Sequence, residues 1–377
     1  MTPYQAVGGT AACRRLSEAF YGRVASDPVL RPFFPGKTLH CAIEEFSAFL
    51  VQFLGGPSED TQRRWWLSLR ESHLRFRIGP RERAAWMKNM YTALEEATIE
   101  EPARTALRAL FEESSAYLVN TGGTTSGAGR ATADEPLRHE LRLRWETQRD
   151  LDAAVRAIRE ENAARAIELA SAPALSAHFR GNRSAFAFFL SLMTGTANSA
   201  MHVYVEDQFR ADPSLSAARY SGRTLLHTAA AVGNLAVVTL LLSLGADPDT
   251  LDAGGHTPLY CVANECKRPD AASVVHTLIR AGANVDADGG VKRCTALHMA
   301  ARRGNLEVAR ALLEAGASLE HPDSVGDTPL RRAVNCNRID VATFLARNGA
   351  DIYSPGSKGL TPVLAARSAA MKQALQS

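Results

Sequence analysis

Residues 295–317 read TALHMAARRGNLEVARALLEAGA, and this stretch decides the architecture of the C-terminal half of the chain. Thr295 stands before a short apolar run, where a hydroxyl can accept from the first free amides of a helix. The pair Gly304 and Asn305 turns the chain, and Gly316 of the closing Gly-Ala ends a second helix. A helix pair of this size leaves an apolar face that only a neighbouring copy can cover. Copies are present. Thr224, Thr257, Thr295, Thr328 and Thr361 open TLLHTAA, TPLYCVA, TALHMAA, TPLRRAV and TPVLAAR at spacings of 33, 38, 33 and 33 residues. Second helices ending in Gly-Ala follow four of them, as LLLSLGADP, LIRAGANV, LLEAGASL and FLARNGADI. The long spacing places four extra residues near 265–271, between the two helices of one unit.

This pattern resembles the ankyrin repeat and assigns residues 223–370 to an ankyrin-repeat solenoid, a fold that serves protein–protein interaction. His227 and His298 fall at its TPLH-like position, where the expected role is a structural hydrogen bond to the next unit. Upstream, FRADPSL (residues 209–215) and ELASAPALSAHFRGNRSAF (residues 168–186) read as degraded repeat ends, with units starting around Leu151 and Ser184. Residues 137–222 are therefore assigned to a helix and degenerate ankyrin-like repeats. Before them, TGGTTSGAGRATADEP (residues 121–136) has the composition of a flexible linker, which sets residues 1–120 apart as a separate domain.

That first segment shows helical patterns and no alternating strand. In order, it carries YQAVGG (residues 4–9), AFYGRVASDPVLRPFFP (19–35), FLVQFLGGP (49–57), WWLSLRESHLRFRIG (65–79) and RERAAWMKNM (81–90). Five landmarks in this order with short gaps resemble the group II truncated haemoglobins. The resemblance implies an all-α truncated globin, a two-over-two helical sandwich, with non-covalent haem b as cofactor. Independently of it, Trp66, Leu69, His73 and Phe76 recur at steps of three and four and share one helix face. His73 is the polar member of that stripe. Taken alone, the stripe suits a core histidine satisfied by a backbone carbonyl; the resemblance instead makes His73 the proximal ligand of the haem iron. His40, beside Cys41 at a helix start, reads as a capping or solvent-facing residue, with an internal sixth ligand as the alternative.

The resemblance also implies a distal cluster of Tyr21, Phe34, Ala42, Phe46 and Trp86. A Tyr phenol and a Trp indole N–H are donors that a diatomic ligand with partial negative charge would accept from, although both side chains commonly serve as packing. Phe34 stands where some relatives carry a second distal tyrosine, so one donor is missing. Ala42 stands where other globins place a distal histidine, which leaves that side more open. Arg70 and Arg77, three residues before and four after His73, are candidates to pair with a haem propionate.

Composition narrows the remaining classes. The formal net charge is +3, and the arginines are scattered among many helices, so neither nucleic acid nor membrane is an expected partner. The longest apolar run, AFAFFLSLM, is far shorter than the ~18–20 residues of a membrane helix, and the N-terminus lacks a secretory pattern. Six cysteines without CxxC or CxxCH spacing argue against zinc, covalent haem and a disulfide framework, and for a reducing cytoplasm. His276 and Cys266 near the insertion lack the spacing partners of a metal site. Three functions fit: reversible binding of oxygen or another diatomic gas with an array that docks a protein partner, a haem enzyme (nitric oxide dioxygenase or weak peroxidase), and a haem-based gas sensor. No reductase motif accompanies the enzyme reading.

Overall fold

The computed structural model describes residues 1–36, 38–57, 69–121, 136–356 and 359–376, and it divides into two compact units, Met1–Gly181 and Asn182–Ser377. Both are helical. Among the described residues the one β-ladder is a two-residue hairpin pairing Arg219–Tyr220 with Arg223–Thr224.

In the first unit, α1 (Pro3–Val7) opens on a capping box, in which Gln5 N–H donates to Thr2 and Thr2 N–H donates to the Gln5 side chain. The paired glycines of YQAVGG then hold φ of +102° and +71° at Gly8 and Gly9, a left-handed kink that lets α2 (Gly9–Val24) start at once. Ala12, Cys13, Leu16, Phe20 and Val24 give α2 one fully covered stripe. It packs on α3 (His40–Phe53) and on α5 (Pro80–Glu96), which packs in turn on α6 (Ala103–Leu118). The short α4 (Leu69–His73) precedes α5, and the tryptophan end of its stripe, Trp66, lies outside the described residues.

Beyond the segment read as ending near residue 120, the first compact unit continues with further helices. The helix α7 (Pro136–Arg159) lays Leu141 and Trp145 into the same core as α2, α3, α5 and α6, and its second half packs on α8 (Ala163–Ser171) and α9 (Pro173–Gly181). Residues 137–181, read from the sequence as a helix and degenerate repeat-like segments, fall within the first compact unit, where Trp145 is 1% exposed. The linker composition of residues 122–135 lies outside the described residues.

The second unit is a ladder of helix pairs. α10 (Arg183–Thr194) and α11 (Ser199–Ala211) start it, at the position expected for a degenerate unit near Ser184. Next come α12 (Leu225–Val232) with α13 (Leu235–Ser243), α14 (Pro258–Glu265) with α15 (Ala271–Arg280), and α16 (Ala296–Arg303) with α17 (Leu306–Glu314). α18 (Pro329–Asn335) with α19 (Ile339–Arg347) and α20 (Pro362–Ala365) with α21 (Ala369–Gln376) complete it. The threonines cap first helices as expected, and Asn234 and Asn305 cap second helices. Residues 266–270 join α14 to α15, where two residues join α12 to α13 and α16 to α17, so the insertion lies in this connection.

His227 and His298 tie these units together. Each bonds its own capping threonine at 2.8 Å through Nδ1 and reaches the next unit's backbone at 3.0 Å through Nε2, at His256 O and Asp327 O. Burial pushes both imidazoles below their ordinary pKa, so they serve as neutral bridges. One unit later Arg331, 4% exposed, takes the same role by donating to the carbonyls of Leu360 and Thr361.

Candidate functional site

The site is built on four elements of the first unit. α4 carries His73, whose Nδ1 lies 2.7 Å from the carbonyl oxygen of Leu69, one turn back. A carbonyl can only accept, so Nδ1 carries the proton and the Nε2 atom carries the lone pair. Burial lowers the imidazole pKa, the Arg75 charge adds to that, and the bond to Leu69 opposes it; the ring is neutral near pH 7. A neutral imidazole with its lone pair on Nε2 is the form that ligates a metal.

The loop after His73 is held by a residue that sequence reasoning passed over. Asn120, just beyond α6, accepts from Ile78 N–H at 2.9 Å, donates its amide to Phe76 O at 2.8 Å, and donates its N–H to Ile78 O at 2.9 Å. Its one available signal was an Asn at a helix end, and many such residues serve only as caps. Glu82 closes the loop from the other side by accepting from Gly79 N–H at the start of α5.

From His73 an aromatic wall continues across the unit. The ring of Phe76 lies 6.2 Å from that of His73 and 6.2 Å from that of Phe34, which meets Tyr21 edge-on at 5.4 Å. Tyr21 in turn meets Phe46 at 6.2 Å and Phe20 at 5.1 Å, and Phe20 lies 5.3 Å from Trp86. The structure therefore brings Tyr21, Phe34, Phe46 and Trp86 into one cluster. Ala42 sits half-buried in the first turn of α3, the helix that carries Phe46.

The burial of this cluster is informative. Phe20 and Phe111 are buried behind it, yet Tyr21, Phe34, Phe46, Phe49, Trp86 and His73 are only half-buried. Large aromatic side chains grouped with exposed faces form a surface that an apolar planar molecule would cover. Among the described residues, neither the Tyr21 hydroxyl nor the Trp86 indole N–H has a hydrogen-bond partner. Burial, with the Glu45 charge adding to it, raises the Tyr21 pKa, so the phenol keeps its proton as a donor. A neutral imidazole, an aromatic cradle and two uncommitted donors fit a haem with a gas ligand.

The arginines divide. Arg70 turns away, donating to Tyr117 O at 3.3 Å with its guanidinium 5.2 Å from the Tyr117 ring. Arg77 is exposed and has no partner among the described residues, which leaves it available to a carboxylate. His40 faces solvent with a side chain 71% exposed, 4.0 Å from Glu44. In the array, His276 lies 4.0 Å from Glu314, and no cluster of three metal-ligating side chains occurs among the described residues. No helix among them is long and apolar enough to cross a membrane.

The chain thus carries an all-helical unit in which a histidine stands beside an aromatic cluster, followed by a helical repeat array. Comparisons with known proteins make the class specific. Residues 2–120 match the family model described as bacterial-like globin, and residues 192–288 and 264–355 match ankyrin repeats (3 copies). Group 2 truncated hemoglobin YjbI of Bacillus subtilis (strain 168) is 35% identical over 118 residues, 31% of this chain and 88% of that protein. The crystal structure of the hemoglobin from the thermophilic phototrophic bacterium Chloroflexus aurantiacus shares 41% identity over 32% of this chain and 99% of that one, with a TM-score of 0.31. On the array side, the putative palmitoyltransferase ZDHHC13 of Danio rerio is 34% identical over 123 residues, 33% of this chain but 18% of that protein. The B-cell lymphoma 3 protein homolog of Mus musculus is likewise 34% identical over 134 residues, 35% of this chain and 29% of that protein. The chain belongs to the bacterial-like, truncated globins through its N-terminal domain and carries an ankyrin-repeat domain C-terminal to it.

Proposed function

We propose that the N-terminal domain holds haem b non-covalently on His73 and reversibly binds oxygen or another diatomic gas, while the ankyrin array docks the chain to a protein partner. The observation that carries this reading is the placement of His73, its ring held by Leu69 O, beside a half-buried aromatic cluster that includes Tyr21 and Trp86. When bound, the haem supplies an iron at which a diatomic gas is held with partial negative charge on its outer atom.

The chain's own residues do the rest. Leu69 O fixes the ring and tautomer of His73, and Asn120 fixes the loop that follows. Phe34 and Phe46 cover apolar surface and exclude water. Tyr21 and Trp86 donate toward the gas, a charge-assisted bond that favours ligands with negative outer atoms over neutral ones. Arg77 is positioned in sequence to meet a propionate, whereas Arg70 is committed to Tyr117.

An oxygen equilibrium on the reconstituted full chain tests the reading. Reversible uptake of one oxygen per haem is expected. Stoichiometric nitrate formation with turnover, under a supplied reductant and nitric oxide, would replace binding with a dioxygenase activity.

A further inference from the structure

We infer that α7 positions the haem-bearing helix α4, with Asp152 as the residue that ties the two, so that occupancy at His73 is felt in the helix through which the chain continues toward the array. The inference rests on the reading that His73 holds haem.

The observations lie in one junction of α4, α6 and α7. Asp152 of α7 is 2% exposed, and its Oδ2 accepts from the backbone N–H of Arg70 in α4 at 3.3 Å, while its Oδ1 accepts from Gln148 at 3.2 Å. Trp145, Gln148, Arg149 and Asp152 stand at positions i, i+3, i+4 and i+7, one face of α7. Tyr117 of α6 meets that face: Trp145 lies edge-on at 5.5 Å, and the guanidinium groups of Arg149 and Arg70 lie 5.7 Å and 5.2 Å from its ring centre.

A buried carboxylate is a costly way to hold two helices together, since an apolar side chain would pack there without desolvating a charge. Its use is specificity. A carboxylate that accepts from a backbone N–H of α4 while also bonded to Gln148 of α7 and Tyr117 of α6 favours one position of α4 along its axis. Arg70 lies three residues before His73, so a shift of α4 along that axis moves the imidazole. α7 is thereby a positioning element of the site and not a passive lead into the array.

The test uses the full chain. In Asp152→Ala, haem transfer to an excess of apoglobin acceptor should run about tenfold faster, the factor set by one hydrogen bond to a charged acceptor. The iron–histidine stretching band of the ferrous form should also shift, a readout that loss of overall stability would not move. Asp152→Asn keeps a carbonyl acceptor and should bring both readouts most of the way back. In the wild type, hydrogen exchange at residues 145–156 should slow when haem is loaded. Wild-type haem transfer and an unmoved band in Asp152→Ala would overturn the inference. If that variant does not fold, exchange in α7 that is indifferent to haem does so instead. Should His73→Gly retain haem with an unchanged band, the reading of His73 itself has failed. If His73→Gly loses haem while Asp152→Ala behaves as wild type, only the role of α7 has failed.

Discussion

Replacing Tyr21 with Phe separates a ligand-binding phenol from a packing one. The hydroxyl has no partner among the described residues, so its removal breaks no bond to them and leaves the ring's contacts with Phe20, Phe34 and Phe46 in place. The fold should therefore keep its stability to within about 0.5 kcal/mol. A hydrogen bond to a ligand with negative charge is worth about 1.5–3 kcal/mol, which corresponds to a roughly ten- to hundred-and-fiftyfold change in an equilibrium constant. Lost on dissociation, most of it appears in the off-rate. Stopped-flow measurement should thus show oxygen leaving Tyr21→Phe at least about tenfold faster, with carbon monoxide release nearly unchanged. Trp86→Phe should act in the same direction, and the double variant should be non-additive if both donors reach one atom. Equal acceleration for both gases would mean a change in pocket volume; no acceleration for oxygen would return Tyr21 to the core as a packing residue and remove the argument for a polar distal side.

Trp145→Ala should destabilise the first unit by about 3–5 kcal/mol in chemical denaturation, because the indole is buried in the globin core although it lies beyond the expected boundary; a change confined to the array's transition would refute that packing. His227 and His298 have folded-state pKa values below their ordinary 6.5, so the unfolded chain takes up protons that the native array refuses. The array should accordingly be most stable above about pH 6.5 and lose stability as pH falls below it, and His227→Gln with His298→Gln should flatten that slope between about pH 6.5 and 5. Arg331→Ala leaves the carbonyls of Leu360 and Thr361 without their donor, at a cost of about 1–3 kcal/mol, and amide exchange at residues 361–376 should speed up while units farther upstream hold.

What could be read from sequence followed from local rules. A threonine cap, a Gly-Asn turn and a Gly-Ala stop recur with a fixed period, so the array was legible unit by unit. The histidine on the α4 stripe was visible as an oddity, and only the resemblance distinguished a ligand from a core residue. Its hydrogen bond to Leu69 O satisfies both readings at once, since a proximal ligand and a buried core histidine each use the carbonyl one turn back. Asn120 and Asp152 act across 42 and 82 residues of sequence, on Ile78 and Arg70, and no periodicity encodes such contacts. How far the first compact unit continues beyond the globin segment was not legible for a related reason. A Gly-rich stretch marks where a chain leaves a packed surface, not whether the next helix comes back to it, and Leu141 and Trp145 come back.

The central claim is that His73 holds a haem whose open side accepts a gas. Absorption spectra of the full chain titrated with haem, in ferric, ferrous and carbon-monoxide-treated forms, test it most directly when run beside His73→Gly. One haem per chain is expected in the wild type, with a Soret band that moves on reduction and again with carbon monoxide, loss of stable haem in His73→Gly, and its return when imidazole is added. A wild-type chain that takes up no haem, or a His73→Gly chain whose spectra match the wild type without imidazole, would contradict it.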